Sequence, residues 1–132
     1  MSSKTNDQAT ILVMEDVEET RDGIERLLRR DGYRVEGARD EQGAAERARL
    51  QHPDLILVSL GGTPSDIIAA AARVRESAGL GEDVPVVIFC IQEIEEGDEI
   101  AIGHNVHIAR PDNFDQLRGL LSRLLRGLQR VA

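Results

Sequence analysis

The segment Pro53-Asp54-Leu55-Ile56-Leu57-Val58-Ser59-Leu60-Gly61-Gly62 constrains the fold more than any other. Leu55 to Val58 are four apolar residues in a row, fenced by Pro53 on one side and Gly61-Gly62 on the other. A run with no polar face fits a parallel strand covered on both sides, because neither side is left for water. Thr10 to Met14 and Pro85 to Ile91 are two further runs of this kind. The carboxyl end of the central run delivers a small hydroxyl residue, Ser59, to a glycine loop. In open α/β sheets that rim is where ligands and chemistry sit.

The segments between these runs read as helices. One extends from the acidic cluster Glu15-Asp16-Val17-Glu18-Glu19 to about Arg30, with Ile24, Leu27 and Leu28 facing inward and Asp31-Gly32 ending it. Tyr33 to Ala38 alternates in polarity and is expected as an edge or half-exposed strand. Asp40 caps a short helix over Glu41 to Leu50. Thr63-Pro64-Ser65-Asp66 opens another that runs to about Ser77, with Thr63 as cap and Pro64 where no amide donor is needed. Gln92 to Ile102 is acidic and weakly periodic, and is expected as a short, marginal helix. Val106 to Ala109 is a brief fifth strand. Asn113, with Gln116 three positions on, begins the last helix as a capping box, and leucines recur along it from Leu117 to Leu128. The order βαβαβαβαβα with right-handed crossovers predicts a single α/β domain with a doubly wound, five-stranded parallel sheet. Residues 1–9 read as a flexible polar arm and residues 10–130 as the domain.

Twenty-four acidic and sixteen basic residues give a net charge of −8, a field that repels phosphate backbones and anionic lipid. With one Tyr and two Phe there is almost no aromatic surface for stacking bases, so direct nucleic-acid binding is not expected. The single cysteine excludes an internal disulfide and fits a reducing compartment. No apolar stretch approaches the roughly 20 residues of a membrane span. The expected location is cytoplasmic.

The strand ends bring Glu15, Asp16, Ser59, Cys90 and Arg110 to one rim of the sheet. Together with the stretches ILVMEDVEETRDGIERLLRRDGY, HPDLILVSL, VPVVIFC and ARPDNFDQL, this constellation resembles the receiver domain of bacterial two-component response regulators, from about Thr10 to Leu125. The resemblance implies a flavodoxin-like fold and a phosphorelay role. In that family an aspartate ending the third strand takes a phosphoryl group from a histidine kinase. An acidic pair after the first strand holds Mg²⁺, a Thr or Ser ends the fourth strand, and a Lys precedes a proline after the fifth. Here the acidic pair is Glu15-Asp16. The phospho-acceptor position is Ser59, the hydroxyl position is Cys90, and the lysine position is Arg110, followed by Pro111. His107 stands where receivers usually carry an aromatic switch residue.

Those departures matter chemically. A serine hydroxyl is a weak nucleophile without a neighbouring base. Losing the carboxylate also removes a metal ligand, so Glu15 and Asp16 form at best a vestigial, weak Mg²⁺ site. Cys90 is a poorer hydrogen-bond donor than a hydroxyl, and Arg110 is a planar fork rather than a point charge. The expectation is a pseudo-receiver: not an enzyme, without a cofactor, independent of phosphorylation, and acting through protein–protein contacts. Partners of the implied kind are a histidine kinase, another response regulator, or a second copy in a homodimer. The exposed side of the last helix, with Arg118, Arg123, Arg126 and Arg130, is the expected contact surface. Arg110 is expected to pair with Glu15 or Asp16 across the pocket. Two rival readings stand beside this one: a small-ligand sensor that holds its ligand over Gly61-Gly62, and an enzyme using Ser59 as nucleophile. The second lacks a placed base. His104 and His107, three apart, lack an evident third ligand for a metal.

Overall fold

The structure, a computed structural model, describes residues 9–89 and 93–129, with side chains described to residue 126. Among these residues the strands are β1 (Thr10–Glu15), β2 (Arg34–Ala38), β3 (Leu55–Ser59), β4 (Val86–Ile88), β5 (Glu99–Ala101) and β6 (Val106–Ala109). The helices are α1 (Glu18–Arg30), α2 (Glu41–Gln51), α3 (Pro64–Ser77) and α4 (Phe114–Gln129). The sheet runs β2-β1-β3-β4-β6-β5, and every pairing is parallel except β5 with β6.

The central strands are buried on both faces, and alternate residues serve opposite cores, as the period of two along a strand requires. Ile11, Val13, Leu55 and Leu57 pack under α1 and α4 with Leu28, Leu117, Leu120, Leu121 and Leu125. Leu12, Met14, Ile56 and Val58 pack under α2 and α3 with Ala44, Ala48, Ile67, Ala71 and Val74. The alanines on α2 and α3 let those helices lie close to the sheet and to each other. β2 is an edge strand with an exposed start, as its alternation predicts.

Helix ends follow the local chemistry. Gly32, with φ 98°, closes α1: the Tyr33 amide donates to the Leu28 carbonyl and the Gly32 amide to Arg29. Asp40 Oδ1 accepts from the Gly43 amide at 2.8 Å, and Thr63 Oγ1 accepts from Asp66 at 3.2 Å. At α4, Asn113 Oδ1 accepts from the Gln116 amide at 3.0 Å, but the Gln116 side chain reaches past Asn113 to accept from the Asp112 amide at 2.8 Å.

Three expectations are corrected. The sheet has six strands, not five, and it is not wholly parallel. The expected helix over Gln92–Ile102 is instead, over its described residues, a loop followed by β5, which folds back on β6. Glycine and backbone pairing explain the change. Gly97, at φ 92°, donates its amide to the Arg110 carbonyl at 2.6 Å, a geometry no helix interior offers. The return turn Gly103–Val106 has positive φ at both central residues, His104 (56°) and Asn105 (61°), as tight hairpins need. The fourth strand is shorter than Pro85 to Ile91: β4 ends at Ile88, although the Phe89 amide still donates to Val58. Cys90, Arg130, residues 1–8 of the arm and the Leu128 side chain lie outside the described residues.

Candidate functional site

The carboxyl rim is built by β1, β3 and β6. The parallel register sets Glu15 directly beside Ser59, one strand spacing of about 4.8 Å away. Both are buried, each only 4% exposed, while Asp16 on the outgoing loop is exposed. Glu15 is turned back on its own loop: its Oε2 accepts from the Val17 amide at 3.1 Å. Arg21 Nη1 donates to the Glu15 carbonyl at 2.8 Å and ties the loop to α1.

Arg110 does not join this group. Its Nη1 donates to the Ile94 carbonyl at 3.0 Å, and no ion pair links it to Glu15 or Asp16 among the described residues. The expected pairing across the pocket is therefore not formed. The acidic loop from Glu93 to Asp98 offers its main chain to the guanidinium, and the Arg110 backbone is already fixed by Gly97 and Asp98. Cys90, at the fourth position, lies outside the described residues.

The two histidines are held away from the rim, both through Glu82. His104 sits in the turn that opens β6, at the amino end of the sheet, with Nδ1 2.8 Å from Glu82 Oε2. His107 Nε2 donates to Asn105 Oδ1 at 2.9 Å, and the Asn105 amide group donates to the Glu82 carbonyl. Burial, reinforced by repulsion from Arg123 and partly opposed by Glu99, holds the His107 imidazole below the usual histidine range. Neither histidine serves Ser59 as a base.

The donors at this rim bear on the Mg²⁺ that the resemblance implies. Of the two acids, Glu15 is committed to the Val17 amide, and the third oxygen donor would be a neutral hydroxyl. Among the described residues no group of three His, Cys, Asp or Glu side chains could hold a metal ion. That set fits a hard cation needing six oxygens poorly.

Sequence reading missed one feature of this rim. Phe89, Pro111, Asn113, Phe114 and Leu117 join Arg110 around a depression of about 310 Å³. The signal was available: one phenylalanine, Phe89, directly follows β4, and the other, Phe114, opens α4 after β6. Arginines of α4 are engaged within the chain. Arg118 binds Asp31 and Asp115, each at 2.7 Å, Arg123 binds Glu99 at 2.8 Å, and Arg126 donates to Ser122. The glycines of the other proposed ligand platform, Gly61 and Gly62, are exposed.

Curated proteins similar to this chain include two transcriptional regulators. The transcriptional regulatory protein KdpE of Staphylococcus aureus is 26% identical over 127 residues, covering 95% of the chain and 52% of that protein. The KDP operon transcriptional regulatory protein KdpE of Escherichia coli is 29% identical over 119 residues, covering 88% and 51%. The chain thus spans about half the length of the curated relatives it matches. In fold, it is similar to the signal receiver domain of a signal transduction histidine kinase from Syntrophus aciditrophicus. There the TM-score is 0.69 at 20% identity, over 92% of this chain and 93% of that one. No protein-family model matches.

The chain has the fold of response-regulator receiver domains.

In this fold Ser59 ends β3 in register with Glu15, and Arg110 stands before Pro111. Among its described residues no helix is long and apolar enough to cross a membrane.

Proposed function

We propose that this receiver domain signals without accepting a phosphoryl group, through contacts with protein partners of a two-component pathway and with no catalysis of its own. The observation that carries the reading is Ser59: a buried hydroxyl stands in register with Glu15, where the reaction needs an ionised carboxylate. The Arg110 guanidinium, bound to the Ile94 carbonyl, makes no ion pair with Glu15 or Asp16 among the described residues, which supports the same reading. The partner is a cytoplasmic histidine kinase, another response regulator or a second copy, and not nucleic acid. The net charge of −8 supports that choice.

Incubation with acetyl phosphate and Mg²⁺, followed by intact-mass measurement, is the test. The unsubstituted chain is expected to gain no phosphoryl group. Ser59→Asp, which restores the carboxylate, is expected to bind Mg²⁺ more tightly than the parent, because a third oxygen ligand then joins Glu15 and Asp16. An acyl phosphate on the unsubstituted chain would overturn the proposal.

A further inference from the structure

The depression beside Arg110 combines an apolar wall with a cation. Its walls are apolar, formed by Phe89, Phe114, Leu117 and Pro111, with Asn113 at the edge. Phe89 and Phe114 pack against the core on one side yet stay only partly buried on the other. In a chain with three aromatic residues, two of them leave ring surface open at the same place.

The second feature is the cation. Arg110 is half-buried, and its guanidinium donates to the Ile94 carbonyl. It has no carboxylate partner among the described residues, although acids outnumber bases by twenty-four to sixteen in the chain. By contrast, Arg73, Arg118 and Arg123 each hold a carboxylate within 2.8 Å. A guanidinium carries five N–H donors in a rigid fork that matches a carboxylate, so several remain for a ligand.

We propose that this pocket binds a small monocarboxylate with an aromatic or branched apolar body, its carboxylate on Arg110 and its body between Phe89 and Phe114. The volume lies at the lower end of small-molecule sites, which begin near about 300 Å³. One negative charge suits the site better than several, because the acidic molecule repels polyanions. Neither Glu15 nor Ser59 lines the depression, so the proposal stands whether or not Ser59 takes a phosphoryl group.

Phenylacetate and its neutral counterpart phenylacetamide are the probes, titrated into the unsubstituted protein with amide chemical shifts followed by NMR. Phenylacetate is expected to bind more tightly by roughly tenfold to a hundredfold, the range of a charge-assisted hydrogen bond, and to shift Arg110 and Phe114. Arg110→Gln is expected to erase the difference between acid and amide, while Arg110→Lys keeps part of it. Equal binding of acid and amide, no binding of either, or shifts confined to other residues would refute the site. The acid–amide comparison needs no variant to fold.

Discussion

His107 shows how one side chain's surroundings translate into a measurable dependence on pH. Its Nε2–H is fixed by Asn105, which is itself anchored on the Glu82 carbonyl, so the neutral ring has a set orientation. Burial and Arg123 disfavour the imidazolium, and the folded-state pKa lies below the ordinary value of 6.5. Below that ordinary value the unfolded chain takes up a proton that the folded chain resists. Stability from this residue is therefore complete above it and declines as pH falls toward the depressed folded value. His107→Gln should flatten that decline. Melting temperatures measured at about pH 7.5 and about pH 5 would lie closer together in the variant than in the parent. Parallel profiles would mean that other groups carry the acid sensitivity.

At the scale of elements, α4 and the β5–β6 arm are bound together by one glutamine. Gln116 accepts from Asp112 at the head of α4 and donates Nε2 to the Gly97 carbonyl at 2.6 Å, while Arg123 reaches Glu99 on β5. Every residue of β5 is exposed, so polar ties and pairing with β6 hold it, not burial. Gln116→Ala is expected to loosen the arm by about 1 kcal/mol, the net worth of a hydrogen bond, with little change in global melting. Hydrogen exchange would rise at residues 97–102 and stay unchanged in β1 and β3. The helix starts at Asp40 and Thr63 were readable because a cap bonds an amide three residues on, a rule confined to a few residues. β5 was not readable: three exposed residues carry no hydrophobic period, and only the neighbouring β6 makes them a strand.

For the molecule as a whole, stability rests on the two cores that share the sheet. Leu57 is fully buried in the central strand and packs on the α1 and α4 side. Leu57→Ala should cost about 2–5 kcal/mol by chemical denaturation, since the cavity left in a central strand cannot collapse fully. Leu50→Ala, at a position 81% exposed, should be nearly neutral. A similar cost at both sites would contradict the placement of the core. The cation–π contact of Arg118 over Phe114, at 5.0 Å, and the bidentate Arg73–Glu41 bridge between α3 and α2 sit outside these cores, where solvent weakens them.

The amino-acid sequence by itself determined the parallel centre of the sheet, the four helices, their caps, and the order in which the rim residues arrive. Those features follow from apolar runs and from bonds between near neighbours, both of which are local. Tertiary structure alone decided where Arg110 turned, that β5 replaced a helix, and that two phenylalanines would leave ring surface open beside a cation. Each of these depends on which main-chain carbonyls and amides lie within reach after folding. Charge types can suggest an Arg110–Glu15 pair, but only the folded chain shows the guanidinium bound to Ile94 and the Glu15 carboxylate bound to Val17.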